Sequence, residues 1–186
     1  GADYKDVFCG QAALDLSPYR CQSEAGHREE MQLERPLAKV ELITTDIVKY
    51  LNKLEQTKSI RDAAIDDFTV QVLYTGYFPV GFNVVSNRPN EAVMGIKFTS
   101  NLLVLSDNEA CLAFDYVLVN GEESSVTLEM IIYNEEGQEV NRVTGVEVPL
   151  KRNKITMVRD EFLTREFAPG IGIDPGFDGE INVVVP

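Results

Sequence analysis

Two alternating runs joined by an Asn-Gly dipeptide constrain this chain more than any other feature. In the first, Cys111 to Val119, the residues Leu112, Phe114, Tyr116 and Leu118 share a face; in the second, Val126, Leu128, Met130 and Ile132 do. An apolar period of two predicts strands with one buried face. Asn120-Gly121 between them is a strong turn signal, because both residues tolerate positive φ. The same pattern recurs along the chain. Thr69 to Tyr74 alternates and stops at Gly76. Phe78 to Val85 is a short run interrupted by Pro79 and Gly81, and Asn87, Pro89 and Asn90 mark a loop. Val93 to Thr99 reads as a strand with Gly95 as a bulge or close approach. Asn134-Glu135-Glu136-Gly137 turns the chain into Val140 to Val148, and Lys154 to Leu163 and Ile181 to Val185 complete the set.

Arg35 to Thr45 is the first firm strand, with Pro36 at its start. Asp46 then reads as a helix N-cap. Ile47, Tyr50, Leu51 and Leu54 recur at three and four residues, which predicts one short helix through about Gln56. Ser59, with Asp62 three residues on, opens a second helical turn. The expected fold is all-β: an antiparallel two-sheet sandwich of about eight to ten short strands with one short helix after the first firm strand. Alternation along each strand argues against a parallel sheet buried on both faces. Residues 1–34 read as an irregular N-terminal segment and residues 35–186 as the sandwich domain. Because Ala2-Asp3-Tyr4 enters mid-pattern, a truncated start is expected.

The 186 residues carry 30 acidic and 17 basic side chains, a formal charge of −13. That balance opposes nucleic acid, whose binding rests on neutralising phosphates with Lys and Arg. It opposes anionic lipid for the same reason. No apolar run approaches the roughly 20 residues that a membrane-spanning helix needs. From Phe98 to Asn141 there are nine Asp or Glu and no Lys or Arg, after which Arg142, Lys151, Arg152, Lys154 and Arg159 follow closely. Such a split reads as two solvated faces of opposite sign, or as complementary ends that help subunits stack head to tail.

Little in the chain points to catalysis. His27, the sole histidine, lies in the charged stretch Glu24 to Glu29, where a triad base would lack a rigid mount. Gly170-Ile171-Gly172-Ile173-Asp174-Pro175-Gly176 fails as a dinucleotide fingerprint in spacing and context. Asp174, Asp178 and Glu180 beside Gly176 and Gly179 could hold Ca²⁺, but Asp-Pro-Gly and Asp-Gly are also ordinary turn sequences. Tyr74, Tyr77, Phe78 and Phe82 surround two glycines, as core and edge aromatics or as a shallow ligand-binding loop. No cofactor and no metal is expected, and the chain reads as non-enzymatic. Among three cysteines, Cys9 and Cys21 share a turn-rich stretch and could form a disulfide in an oxidising compartment. Cys111 opens an apolar strand as a small hydrophobe.

Ordered markers carry a resemblance. They are Arg35-Pro36-Leu37-Ala38-Lys39-Val40 running into Thr44-Thr45-Asp46, then Tyr77-Phe78-Pro79, Val148-Pro149-Leu150-Lys151-Arg152-Asn153, and Asp174-Pro175-Gly176-Phe177-Asp178. Together they resemble the fimbrillin-like, cell-adhesion proteins of Bacteroides-type bacteria. The sequence departs from that pattern at Arg159-Asp160-Glu161, where relatives often turn through a glycine. The resemblance implies a transthyretin-like sandwich exported as a lipoprotein and displayed on the outer membrane. It implies partners that are other fimbrial subunits or surface ligands, with membrane contact only through a lipid anchor outside this chain. Some members polymerise into fimbriae by strand exchange, for which Ile181, Val183 and Val185 are the donor-strand candidates; the terminal strand could equally close its own sheet. A carbohydrate-binding module using Tyr74 to Phe82 is the alternative. Thiol titration under denaturing, non-reducing conditions decides the cysteine question. One free thiol per chain is expected if Cys9 and Cys21 pair, and three if they do not.

Overall fold

A computed structural model describes residues 5–20, 26, 28–56 and 65–165. The elements in chain order are β1 (Leu37–Thr44), α1 (Ile47–Gln56), β2 (Thr69–Tyr74), β3 (Phe78–Asn83), β4 (Arg88–Val93), β5 (Lys97–Asn101), β6 (Leu103–Val104), β7 (Ala110–Leu118), β8 (Glu123–Tyr133), β9 (Glu139–Lys151) and β10 (Ile155–Asp160). One sheet has the order β10-β1-β7-β6 and the other β5-β2-β8-β9, with β3-β4 as a separate hairpin. The protein is an all-β sandwich with one α-helix among the described residues.

The core lies between the two four-stranded sheets. Val40 and Leu42 on β1, with Leu112 and Val117 on β7, face Val70 and Val72 on β2 and Leu128, Met130 and Ile132 on β8; all are buried. Each such side chain contributes about 1.5–3 kcal/mol on removal from water. The turn expected at Asn120-Gly121 forms, with Gly121 at φ 87, but it is not a hairpin: it carries the chain from β7 in one sheet to β8 in the other. Along β8 and β9, Leu128 pairs with Val146 and Met130 with Val143, so Glu129 opposes two residues. Gly145 sits in that bulge at φ 70, a conformation other residues adopt only under strain.

Several expectations are corrected. The sheets are not wholly antiparallel, since β10 runs parallel to β1, with Lys39 opposite Ile155 and Thr44 opposite Asp160. Asn87 to Asn90 is not simply a loop: β4 begins at Arg88 and includes Pro89, tolerated because β4 pairs only with β3 among the described strands. Val93 to Thr99 is not one strand, because Gly95 at φ 73 turns the chain between β4 and β5. Leu103–Val104 forms the short strand β6, which alternation over two residues cannot signal. The face assigned to the β7 segment is also wrong beyond Leu112. Leu112 is buried, but so are Ala113, Asp115 and Val117, while Phe114, Tyr116 and Leu118 turn to the outer side.

The start of α1 differs as well. Asp46 is buried, but its carboxylate does not cap the helix. It accepts from the Thr44 hydroxyl, the Leu163 N–H at 3.3 Å, and the Thr164 N–H and hydroxyl at 2.8 and 2.7 Å. The cap comes instead from Asn108, whose Oδ1 accepts the Val48 N–H at 3.1 Å and whose carbonyl accepts that of Ile47 at 3.3 Å. Asn108 Nδ2 also donates to the Thr45 carbonyl at 2.6 Å. On the helix itself, Ile47 is buried and Tyr50 meets Phe68 edge-on at 5.9 Å. Asn108→Ala is expected to cost about 1 kcal/mol in chemical denaturation, as for loss of a cap. Asp46→Ala should cost more, about 3 kcal/mol, because it leaves buried N–H groups at Leu163 and Thr164 without their acceptor.

Candidate functional site

The side of the sandwich at β7 brings together most of what is chemically distinctive. Leu42 pairs with Ala113 and Ile43 with Cys111, leaving Leu112 as an extra residue in β7. Such a bulge reverses the inside–outside phase of everything after it. Asp115 therefore points between the sheets, where it is 2% exposed. Its Oδ1 takes the Lys5 ammonium at 2.7 Å and the Tyr116 N–H at 2.9 Å, and its Oδ2 accepts from the Tyr74 hydroxyl at 3.2 Å. Tyr74 lies against Phe78, with centroids 4.3 Å apart, and near Phe98 at 6.3 Å. Burial, with the Asp115 charge beside it, pushes the Tyr74 phenol far above the ordinary tyrosine range. It is thus a hydrogen-bond donor here and not an ionising group.

Backbone directions follow from one bond. Val119 donates its N–H to the Pro36 carbonyl at 3.0 Å. In an antiparallel ladder this parity turns the backbone groups of Ala113, Asp115 and Val117 toward β1, and those of Phe114, Tyr116 and Leu118 away from it. On that far side β6 reaches only Ala110 and Cys111. Leu112 to Leu118 consequently has no ladder partner on that edge among the described residues. Beside it lies a groove of about 370 Å³, between the β3-β4 hairpin at Tyr77, Pro79 and Glu91 and the β7–β8 connection at Leu118, Asn120 and Ser124.

The aromatic candidates do not converge into one platform. Tyr74 and Phe78 are core residues, whereas Tyr77 is 76% exposed at the groove. Phe82 lies under the Arg152 guanidinium, 5.7 Å from its centroid. Arg152 also donates to the Asn87 side chain at 2.9 Å and to its carbonyl at 2.6 Å, fastening the hairpin tip to the β9–β10 turn. Other cations of the basic stretch are spent locally: Arg142 pairs with Glu139, Lys151 with Glu123 and Arg159 with Glu109. Among the described residues no cluster of His, Cys, Asp and Glu could hold a metal ion. His27, Cys21, Asp174, Asp178, Glu180, Ile181, Val183 and Val185 lie outside the described residues, as does the turn at Ser59 and Asp62. Sequence reasoning missed Asp115 and Lys5. The available signal was an acid inside the apolar run Leu112 to Val119, but without the bulge it reads as an outward residue.

The model of a family of unknown function (DUF6562) matches residues 1–186. No curated protein matches the sequence. Among solved structures, a putative cell adhesion protein from Bacteroides uniformis ATCC 8492 is similar at 12% sequence identity and a TM-score of 0.37, covering 70% of this chain and 47% of that one. The chain therefore spans about half the length of that protein.

The Tyr74 environment predicts alkaline behaviour. A phenol whose folded pKa is raised stabilises the fold below its unfolded value of 10.0 and loses that contribution as pH rises above it. Wild-type stability, read by urea denaturation, is expected to fall between pH 10 and 11.5, and Tyr74→Phe should show a shallower fall.

Proposed function

We propose, for a chain that belongs to the family of unknown function DUF6562, a role as a non-enzymatic adhesion protein displayed at the cell surface. One observation carries the reading: large apolar side chains stand exposed on the β3-β4 hairpin and beside it. Tyr77 and Met94 flank the first rung of the β3-β4 hairpin, where Phe78 pairs with Val93, and Val85 projects from its tip at 81% exposure. Exposed large apolar groups are a feature of contact surfaces. The buried polar groups serve the fold instead: Asp46 holds the chain at Leu163 and Thr164, and Asp115 holds Lys5. Surface display as a lipoprotein rests on the ordered sequence markers from Arg35 to Asp178.

The fimbrial and the purely adhesive versions differ in what they ask of the sandwich. Strand exchange would use Ile181, Val183 and Val185 as the lent strand, filling apolar slots in a neighbour. Along β7, however, Leu112, Ala113 and Val117 are already buried. An added strand would find backbone groups there and no empty slots, which supports the adhesive version. The exposed ring of Tyr77 at the groove favours carbohydrate as a second ligand class.

Antibody against the purified chain should label intact cells of the source organism as strongly as permeabilised ones. Labelling only after permeabilisation would sink surface display. Polymers containing the chain in sheared surface material would favour the strand-exchange version. A glycan array with no signal removes the carbohydrate reading.

A further inference from the structure

We propose a further role for the parallel pair β1–β10: it is a load-bearing clamp, through which the fold withstands tension that enters the chain before β1 and leaves it after β10. Direction provides the first half of the argument. The chain enters β1 at Leu37 and leaves β10 at Asp160. Because the two strands run parallel, those points lie at opposite ends of the pair. Tension therefore draws β1 and β10 in opposite senses along their common axis. Bonds that lie across that axis are then strained together, whereas a pull on two adjacent ends opens them one at a time. The register runs from Lys39 opposite Ile155 to Thr44 opposite Asp160 without a bulge. Backbone bonds extend it at both limits. Asn153 donates its N–H to the Leu37 carbonyl at 2.8 Å and Lys39 to that of Lys154 at 3.0 Å, while Thr45 donates to the Asp160 carbonyl at 3.0 Å.

Latches provide the second half, for the pair is fastened across itself at both points where load arrives. Before β1, Arg35 donates to the Asn153 side chain at 2.8 Å. Beyond β10, Leu163 and Thr164 donate to the carboxylate of Asp46, which closely follows β1. Phe162 and Leu163 are buried beside that latch. Along the ladder, Val40 and Leu42 of β1 and Thr156 and Val158 of β10 are buried, so little water reaches the rungs to compete for strained bonds. The Thr156 hydroxyl also donates to the Pro149 carbonyl at 2.6 Å, which ties β10 to β9 of the other sheet. The clamp thus reaches from Arg35 to Thr164 and combines backbone rungs, a buried carboxylate and core side chains. This inference does not depend on the adhesive reading or on where in the cell the protein resides.

Single-molecule pulling of the full chain provides the test. DNA handles are attached at azide-bearing residues in two geometries. Glu34→p-azidophenylalanine with Arg165→p-azidophenylalanine loads opposite ends of the pair, and Glu34→p-azidophenylalanine with Lys154→p-azidophenylalanine loads one end. At equal loading rate the first geometry should unfold at a force at least about twofold above the second, because forced unfolding reports the barrier and not the equilibrium stability. In the first geometry Asp46→Ala should lower the unfolding force. Tyr74→Phe, in the other sheet, should leave it near wild type. Should Asp46→Ala fail to fold, Thr164→Val removes one donor to the same carboxylate and should lower the force by a smaller amount. Equal forces in the two geometries, a force unchanged by loss of the Asp46 latch, or an equal loss in Tyr74→Phe would each overturn the proposal.

Discussion

Leu112 has no opposite number in β1, and which side chains of β7 face the core follows from that single slip. Before it, the inward positions of β7 are Ala110 and Leu112; after it they are Ala113, Asp115 and Val117. The shift places a carboxylate among apolar neighbours and moves Phe114 and Tyr116 to the outer face. There the Lys39 ammonium lies 4.8 Å and 6.0 Å from their ring centroids and 2.6 Å from Glu41. One inserted residue thus decides both the polar cluster inside and the aromatic surface outside.

A buried carboxylate is costly unless it is paired and hydrogen-bonded. Asp115 meets that cost with a cation from the irregular N-terminal segment, a phenol from the opposite sheet and a neighbouring N–H. Its partners come from sequence positions 5, 74 and 116, so the cluster joins segments that share no strand ladder. Apolar packing alone would not distinguish one placement of residues 5–9 from another. Arg35, which pairs with Asp6 at 2.7 Å and donates to Asn153 at 2.8 Å, ties the same segment to the turn before β10.

What the sequence disclosed was the local pattern. Alternation located β2, β7 and β8, the Asn120-Gly121 turn was legible from residue type alone, and the three-to-four spacing of Ile47, Tyr50, Leu51 and Leu54 located α1. What stayed hidden was non-local. The parallel match of β10 to β1 depends on how strands meet across some 115 residues of chain, which alternation does not encode. The phase of β7 depended on a bulge with no glycine to announce it. Asp46 carried the residue type of a cap and served another purpose, because Asn108 from the β6–β7 connection had taken the position. At the candidate site the aromatic stretch was visible, but its division into core residues, Tyr74 and Phe78, and an exposed one, Tyr77, follows from the hairpin's placement.

That borrowed cap has a kinetic side. A helix of 10 residues is too short to persist alone in water, since nucleation is unfavourable and each added bond returns little. Here even its first turn is completed by a residue 60 positions later in the chain. During synthesis α1 therefore emerges well before its cap does. It can acquire lasting structure only after the β6–β7 connection has arrived, so its amides should become protected from solvent exchange together with the sheet rather than ahead of it.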